Sequence, residues 1–372
     1  MLKIVVPCYD EPQALDTVRS LFACNRGNFD VEVIFVVNSY SISLFEIVEQ
    51  NRLTFSELKG FAKENNSPKF YLTPLLYENL SGHQTGAGMP RKIGMDYAAK
   101  IFSETKNPNG IIISLDADTT VTNNYLTEIY DNFTQHKLKS ATIQFHHPVE
   151  HLSPENPVRK ATETYEVYLR YYRDALDFSG YPYAYYTIGS AFAVTAKTYL
   201  QSGGMSPRQA GEDFYFLQKV FPLDNTKFID TTCVYPAARV SYRVPFGTGP
   251  SIGKMIENDN FIKLSYQVDA FVELKKLFEM VDNFFRKTDE EINIMLLTLQ
   301  SDIQEFLKED GFIGKISEIN QYTADIQSFK KRFFNYFTAF KILKYLNSVH
   351  PNPYILKDVK EEYQKLKQRI TL

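Results

Sequence analysis

The stretch Ile111-Ile112-Ile113-Ser114-Leu115-Asp116-Ala117-Asp118 decides the fold. Four of its first five residues are apolar and three of those are β-branched, the composition of a short strand buried on both faces of a parallel sheet. The strand ends abruptly in two carboxylates separated by one residue. In an open α/β sheet the ligand crevice lies just outside the carboxyl ends of the strands. Asp116 and Asp118 sit at such an end, where paired carboxylates suit a divalent cation that also grips phosphates. The same residues can also be read as a turn before Thr119-Thr120, because Asp is a common turn residue.

Toward the N-terminus, Leu2 to Val6 reads as a first strand, closed by Pro7 and the polar run Cys8-Tyr9-Asp10-Glu11-Pro12. Ala14 to Phe22 has helical spacing, with Leu15, Val18, Leu21 and Phe22 on one face. Val31 to Val37 is a second buried strand that ends at Asn38-Ser39-Tyr40-Ser41. Strand, helix and strand with short links make a βαβ opening, hence a parallel sheet. Residues 42 to 66 read as mainly helical and Lys69 to Leu76 as extended. Ser81 to Pro90 is a glycine-rich loop, and Arg91-Lys92 begin a helix that leads into the Asp-x-Asp strand. Its glycine spacing is wrong for a dinucleotide fingerprint, and no Walker P-loop is present. The loop could still offer backbone N–H groups and a helix N-terminus to phosphate, aided by Arg91 or Lys92; a solvated helix start accounts for it as well.

Toward the C-terminus, Ser140 to Phe145 reads as a strand before a loop holding His146, His147 and His151. The adjacent histidines would point to opposite faces of a continued strand, which disfavours a metal site there. Residues 158 to 178 form a long amphipathic helix with Tyr165, Tyr168, Tyr171 and Tyr172, and Tyr181, Tyr183, Tyr185 and Tyr186 follow. Rings against an apolar sugar face, or plain core packing, both account for the cluster. Thr187 to Val194 reads as a strand, Ala196 to Gln201 as a short helix, and Gly211-Glu212-Asp213 as the opening of a helix over Phe214 to Val220. Carboxylates in a first turn favour a helix through its dipole. Val234 to Val240 reads as a last strand, before a Gly/Pro-rich loop with Arg243. Beyond residue 256 only helices are expected. Thr288-Asp289-Glu290-Glu291 is a capping box opening a helix with Ile292, Leu296, Leu299, Ile303 and Phe306 on one stripe, and a later helix over 323 to 347 carries Phe329, Phe333, Phe337, Phe340 and Tyr345.

A chain of 372 residues with 44% hydrophobic content can build one large domain with an appendage, or two domains. The net charge of -3 gives no electrostatic case for nucleic acid. Cys8, Cys24 and Cys233 fit neither a disulfide framework nor a zinc spacing. No apolar run approaches the length of a membrane span, and a cytoplasmic protein is expected.

Four motifs in order carry a resemblance: Val5-Val6-Pro7-Cys8-Tyr9-Asp10-Glu11, Gly88-Met89-Pro90-Arg91-Lys92-Ile93-Gly94, Leu115-Asp116-Ala117-Asp118 and Gly211-Glu212-Asp213. Together they resemble the GT-A glycosyltransferases, specifically the inverting enzymes of family 2, over residues 1 to 255. The resemblance implies an α/β fold with a mainly parallel sheet flanked by helices, residues 1–255 forming the nucleotide-sugar-binding and catalytic domain and 256–372 an all-helical extension. It implies a nucleoside diphosphate sugar donor, a carbohydrate or glycoconjugate acceptor and a divalent cation, Mn²⁺ or Mg²⁺. Pro7, Tyr9, Glu11, Asn38, Arg91, Asp116 and Asp118 would bind the donor, with Asp118 and Asp116 also on the cation. Asp213 matches the general base, beside Glu212, and Arg243 is the candidate on a closing loop that would stabilise the departing diphosphate. Asn38 stands where many members carry an Asp that reads the base, and Arg91-Lys92 where Arg-Asn is usual, so base and sugar stay open. The helical extension could pack on the catalytic part, dimerise or touch a membrane surface. Rival readings are a sugar nucleotidyltransferase, or a non-catalytic scaffold acting through its helices.

Overall fold

The computed structural model describes residues 1–81, 86–208, 211–241 and 247–371. The chain divides into two compact units, one of Met1–Thr162 with Thr187–Lys254 and one of Glu163–Tyr186 with Met255–Leu372. The tyrosine-rich segment Glu163–Tyr186 thus belongs with the C-terminal helices rather than with the sheet.

The first unit runs β1 (Leu2–Cys8), α1 (Ala14–Phe22), β2 (Val31–Tyr40), α2 (Phe45–Asn65), β3 (Phe70–Leu80), α3 (Gly88–Glu104), β4 (Ile111–Ser114), β5 (Thr119–Val121), α4 (Tyr125–His136), β6 (Ser140–Phe145) and the start of α5 (Pro157–Phe178). It continues with β7 (Phe192–Thr195), α6 (Ala196–Gln201), α7 (Glu212–Val220), β8 (Thr226–Pro236) and the start of α8 (Thr248–Glu257). The strands form one sheet in the order β3-β2-β1-β4-β7-β6-β8-β5. β1–β2, β2–β3, β1–β4 and β6–β8 are parallel, and β4–β7, β6–β7 and β5–β8 antiparallel. The expected α/β architecture, a mainly parallel sheet flanked by helices, is therefore present.

The order explains where a ligand can sit. Successive strands β1, β2 and β3 step to one side, and β4 returns to the other side of β1. The strand order thus reverses between β1 and β4, and such a switch point leaves a crevice at the carboxyl ends of both strands. The register is tight there: Val5 lies opposite Ser114, and the Leu115 N–H donates to the Val5 carbonyl at 3.1 Å. β2 is buried along its whole length, which its run of Val, Ile and Phe makes favourable at about 1.5–3 kcal/mol per large side chain. Helix α3 crosses β1 and β2 at Gly94, where a Cβ would meet Val5 Cγ1 at 2.4 Å and Val36 Cγ2 at 3.0 Å. Only glycine allows that approach.

Several boundaries differ from the sequence reading. β2 carries on through Asn38 to Tyr40, so Asn38 sits inside the strand. α3 starts at Gly88, with Pro90 in its first turn where a missing N–H costs nothing. β7 is Phe192–Thr195, so it takes up only residues 192–194 of the expected 187–194 strand. The last strand of the large sheet is Thr226–Pro236, not 234–240. Its ladder with β6 jumps from Ile143↔Ile229 to Gln144↔Cys233, so residues 230–232 step out of register. That irregularity breaks the alternation by which a strand is recognised.

The second unit adds β9 (Leu264–Ser265), α9 (Val268–Glu279), α10 (Asp289–Leu296), α11 (Ser301–Glu309), α12 (Phe312–Gln321), α13 (Ile326–Tyr336), α14 (Ala339–Ser348), β10 (Lys357–Asp358) and α15 (Val359–Thr371). The expected capping box opens α10, with Thr288 accepting from the Glu291 N–H and Glu291 from the Thr288 N–H. The stripe after it is split over two helices; α11 restarts past Gln300, whose N–H donates to the buried Glu273 carboxylate at 3.0 Å. The expected 323–347 helix is also two, because Thr338 caps a fresh start by accepting from the Lys341 N–H at 3.3 Å. Of the tyrosines, Tyr171 donates to the Tyr266 carbonyl at 2.6 Å, and Tyr181 accepts from the Ala339 N–H at 2.9 Å. Both are core residues of this unit. Among the described residues, no helix is long and apolar enough to cross a membrane.

Candidate active site

Three chain segments meet at the carboxyl ends of β1, β2 and β4. After β1 the backbone turns sharply, with Asp10 at a φ of 52°. The Asp10 N–H donates to Asn51 Oδ1 at 2.8 Å, and Asn51 Nδ2 donates to the Asn38 carbonyl at 2.8 Å. A single asparagine of α2 therefore ties the ends of β1 and β2 together. Pro7 and Tyr9 are partly exposed there, and Tyr9 lies 3.3 Å from the Ser43 hydroxyl with its ring tilted against Tyr40. Asn38 is fully buried, and neither its Oδ1 nor its Nδ2 finds a hydrogen-bond partner among the described residues. A buried polar group left so costs about 1–3 kcal/mol, and such a group near the carboxyl end of β2, two residues before Tyr40, is suited to a polar ligand.

After β4 the carboxylates are held by their backbone. The Asp116 carbonyl accepts from the Thr119 N–H at 3.2 Å, so the turn reading of this stretch also holds. Thr17 of α1 donates to the Ala117 carbonyl at 2.8 Å, and the Ala237 N–H donates to the Asp118 carbonyl at 3.1 Å. The side chains are left at the crevice, that of Asp116 being 38% exposed and that of Asp118 28%.

Arg91, on the first turn of α3 and 2% exposed, is the hub of the site. Its Nη2 donates to Asp116 at 2.8 Å, Nε to Glu212 at 3.1 Å, and Nη1 to the Gly189 carbonyl at 2.9 Å and to the Ser114 hydroxyl. Ser114 in turn donates to the Gly189 carbonyl at 2.6 Å. Burial opposes the charge on Arg91, but Asp116, Glu212 and Asp213 outweigh it and raise its pKa. Gly189 is what the guanidinium packs on: a Cβ there would meet Arg91 Nη2 at 2.7 Å and Asp213 Oδ2 at 3.3 Å.

Glu212 and Asp213 occupy the first turn of α7, whose N-cap Gly211 has a φ of 70°. Glu212 is buried against Arg91, whereas Asp213 is half-buried and accepts from the Phe214 N–H at 2.7 Å. Burial, then the neighbouring Glu212 charge, push the Asp213 carboxyl up to about 7 against the pull of Arg91. A carboxyl poised near neutrality can accept a proton at physiological pH.

A residue that the sequence reading passed over completes the arrangement. Arg239, three residues past β8, donates to both oxygens of Glu11 and, through Nη2, to Asp118 at 3.0 Å. Glu11 is 1% exposed and also accepts from the Gln13 N–H at 3.2 Å. Arg239 lay inside the expected 234–240 strand; the signal was a charge amid Ala237-Ala238 and Val240 with no carboxylate nearby in sequence. The expected loop residue Arg243 falls outside the described residues, as do 82–85 of the glycine-rich loop. Lys92 is turned to Asp96 at 2.6 Å instead of joining the site.

Hard carboxylate oxygens at Asp116 and Asp118 suit Mg²⁺ or Mn²⁺. Among the described residues, no cluster of three His, Cys, Asp or Glu side chains is placed to hold a metal ion. Mg²⁺ is commonly held by one or two carboxylates and completes its shell with water or phosphate oxygens. The histidine pair is no alternative: His146 pairs with Glu150 at 2.5 Å and His147 is buried.

No protein-family model and no curated protein matches the sequence. Among solved structures, the chain is similar to S. aureus TarS 1-349 in complex with UDP-GlcNAc, with 14% identity over 98% of this chain and 91% of that one and a TM-score of 0.43. It is similar to the full S. aureus TarS at 13% identity, covering 93% of this chain and 54% of that one, with a TM-score of 0.40. It is also similar to GalNAc-T7 with UDP, GalNAc and Mn2+ at 12% identity, covering 76% of this chain and 50% of that one, with a TM-score of 0.39.

Proposed function

We propose that the first unit is a GT-A-like glycosyltransferase that moves a sugar, with inversion, from a nucleoside diphosphate sugar to an acceptor hydroxyl. The observation that carries this reading is the Arg91 guanidinium, which bonds Asp116 of the Asp-x-Asp turn and Glu212 of the Glu-Asp pair at once. One side chain bonded to two motifs from distant parts of the chain supports reading them as one site. The nucleotide would lie over the β1 and β2 ends against Pro7, Tyr9 and Glu11, with the Asn38 amide offering both a donor and an acceptor to the base. A divalent cation, when bound at Asp116 and Asp118, would neutralise charge on the leaving diphosphate. Asp213 would remove the proton of the attacking hydroxyl, and Arg91 would hold Asp116 and Glu212 in place around it. A carbohydrate or glycoconjugate would supply that hydroxyl.

Asp118→Ala tests the donor half of this reading. The variant is expected to lose the gain in nucleoside diphosphate affinity that Mn²⁺ gives the wild type, by isothermal titration with and without the cation. An unchanged gain would move the cation elsewhere.

A further inference from the structure

Arg239 places a protein cation between two carboxylates of the same pocket. Its guanidinium joins Glu11, at the end of β1, to Asp118, at the end of β4, across the switch point. Its Nε–H is buried and has no partner among the described residues, so one donor of the fork is unused. A guanidinium does not lose its proton in a protein. A divalent cation approaching Asp118 therefore meets a fixed positive charge already there. Either charge must move, and an incoming diphosphate offers the guanidinium a better set of oxygens than it leaves.

We infer that Arg239 is a latch and positioning residue: it holds Asp118 to Glu11 and passes to the diphosphate when a donor binds. The inference rests on the donor-site reading above. Cation and nucleotide then bind as a pair, because the cation alone has to displace Arg239 without giving it a new partner. Glu11, buried and shared by the same guanidinium, keeps Arg239 in the pocket as Asp118 is released.

The test is a Mn²⁺ titration of wild type, Arg239→Gln and Arg239→Lys, reading free Mn²⁺ by electron paramagnetic resonance, with and without UDP, GDP, CDP or dTDP. The wild type is expected to bind Mn²⁺ about tenfold or more tightly when nucleotide is present, the scale of one charge-assisted hydrogen bond. Arg239→Gln is expected to bind Mn²⁺ alone about tenfold more tightly than the wild type and to gain less from nucleotide. Arg239→Lys, whose single ammonium cannot fork to both carboxylates, should lie between them. It carries the test if thermal melting shows that Arg239→Gln does not fold. Nucleotide binding with unchanged or weakened Mn²⁺ affinity in the folded variants overturns the latch alone. No binding of UDP, GDP, CDP or dTDP by the wild type in the presence of Mn²⁺ overturns the donor reading and the latch with it.

Discussion

Asp213→Asn is expected to lower kcat about 10²–10⁴-fold, the usual worth of a general base, while nucleoside diphosphate affinity stays near the wild-type value. The amide keeps the shape of the side chain and can still accept from the Phe214 N–H, but it has no basic oxygen. The same group fixes the pH dependence. Its carboxyl is raised to about 7 by burial and by Glu212, and only the ionised form can take a proton. The rate is therefore expected to fall as pH drops through about 7 and to level off above it. Stability should run the opposite way. A carboxyl raised above its ordinary 3.8 binds its proton better when folded, so its contribution is lost as pH rises from that value toward about 7. Steady-state rates of sugar transfer from pH 5.5 to 8.5 check the first statement; a wild-type kcat in the variant would remove Asp213 from the reaction.

Arg91→Ala is expected to cost about 3–5 kcal/mol of folding stability, because removing one partner of a buried pair strands the other charges. Glu212 is buried, and its Arg91 bond would have no replacement. The Gly189 carbonyl and the Ser114 hydroxyl would lose a donor as well. Arg91→Lys should recover only part of the loss, since one ammonium cannot serve Asp116, Glu212 and Gly189 together. Urea denaturation midpoints of the two variants measure this. A surface arginine would change them by less than about 0.5 kcal/mol, and that result would contradict its place as the hub.

Much of the frame was legible because local signals were strong. Ala14–Phe22, Ser140–Phe145 and Ala196–Gln201 have the bounds that their spacing gave. The Asp-x-Asp strand end and the Glu-Asp helix start were found by residue type and by resemblance, and Arg91 is what joins them. What the sequence hid depends on long-range packing. The breaks near Leu297–Gln300 and at Phe337-Thr338 fall inside unbroken apolar stripes, and only Glu273 and the Thr338 cap reveal them. β8 is polar and irregular, so it was placed too late. Arg239 was missed for the same reason: its partners, Glu11 and Asp118, are remote in sequence and meet it only in the folded sheet.

The measurement that goes straight to the donor pocket is a thermal-shift series with UDP, GDP, CDP and dTDP, each with and without Mn²⁺. A ligand that binds only the folded state raises the midpoint by mass action. A rise with one of the four nucleotides, larger when Mn²⁺ is present, with that extra rise lost in Asp118→Ala, is the expected result. No rise with any of them, at millimolar nucleotide and with Mn²⁺ supplied, would contradict a nucleotide-sugar site at the ends of β1, β2 and β4.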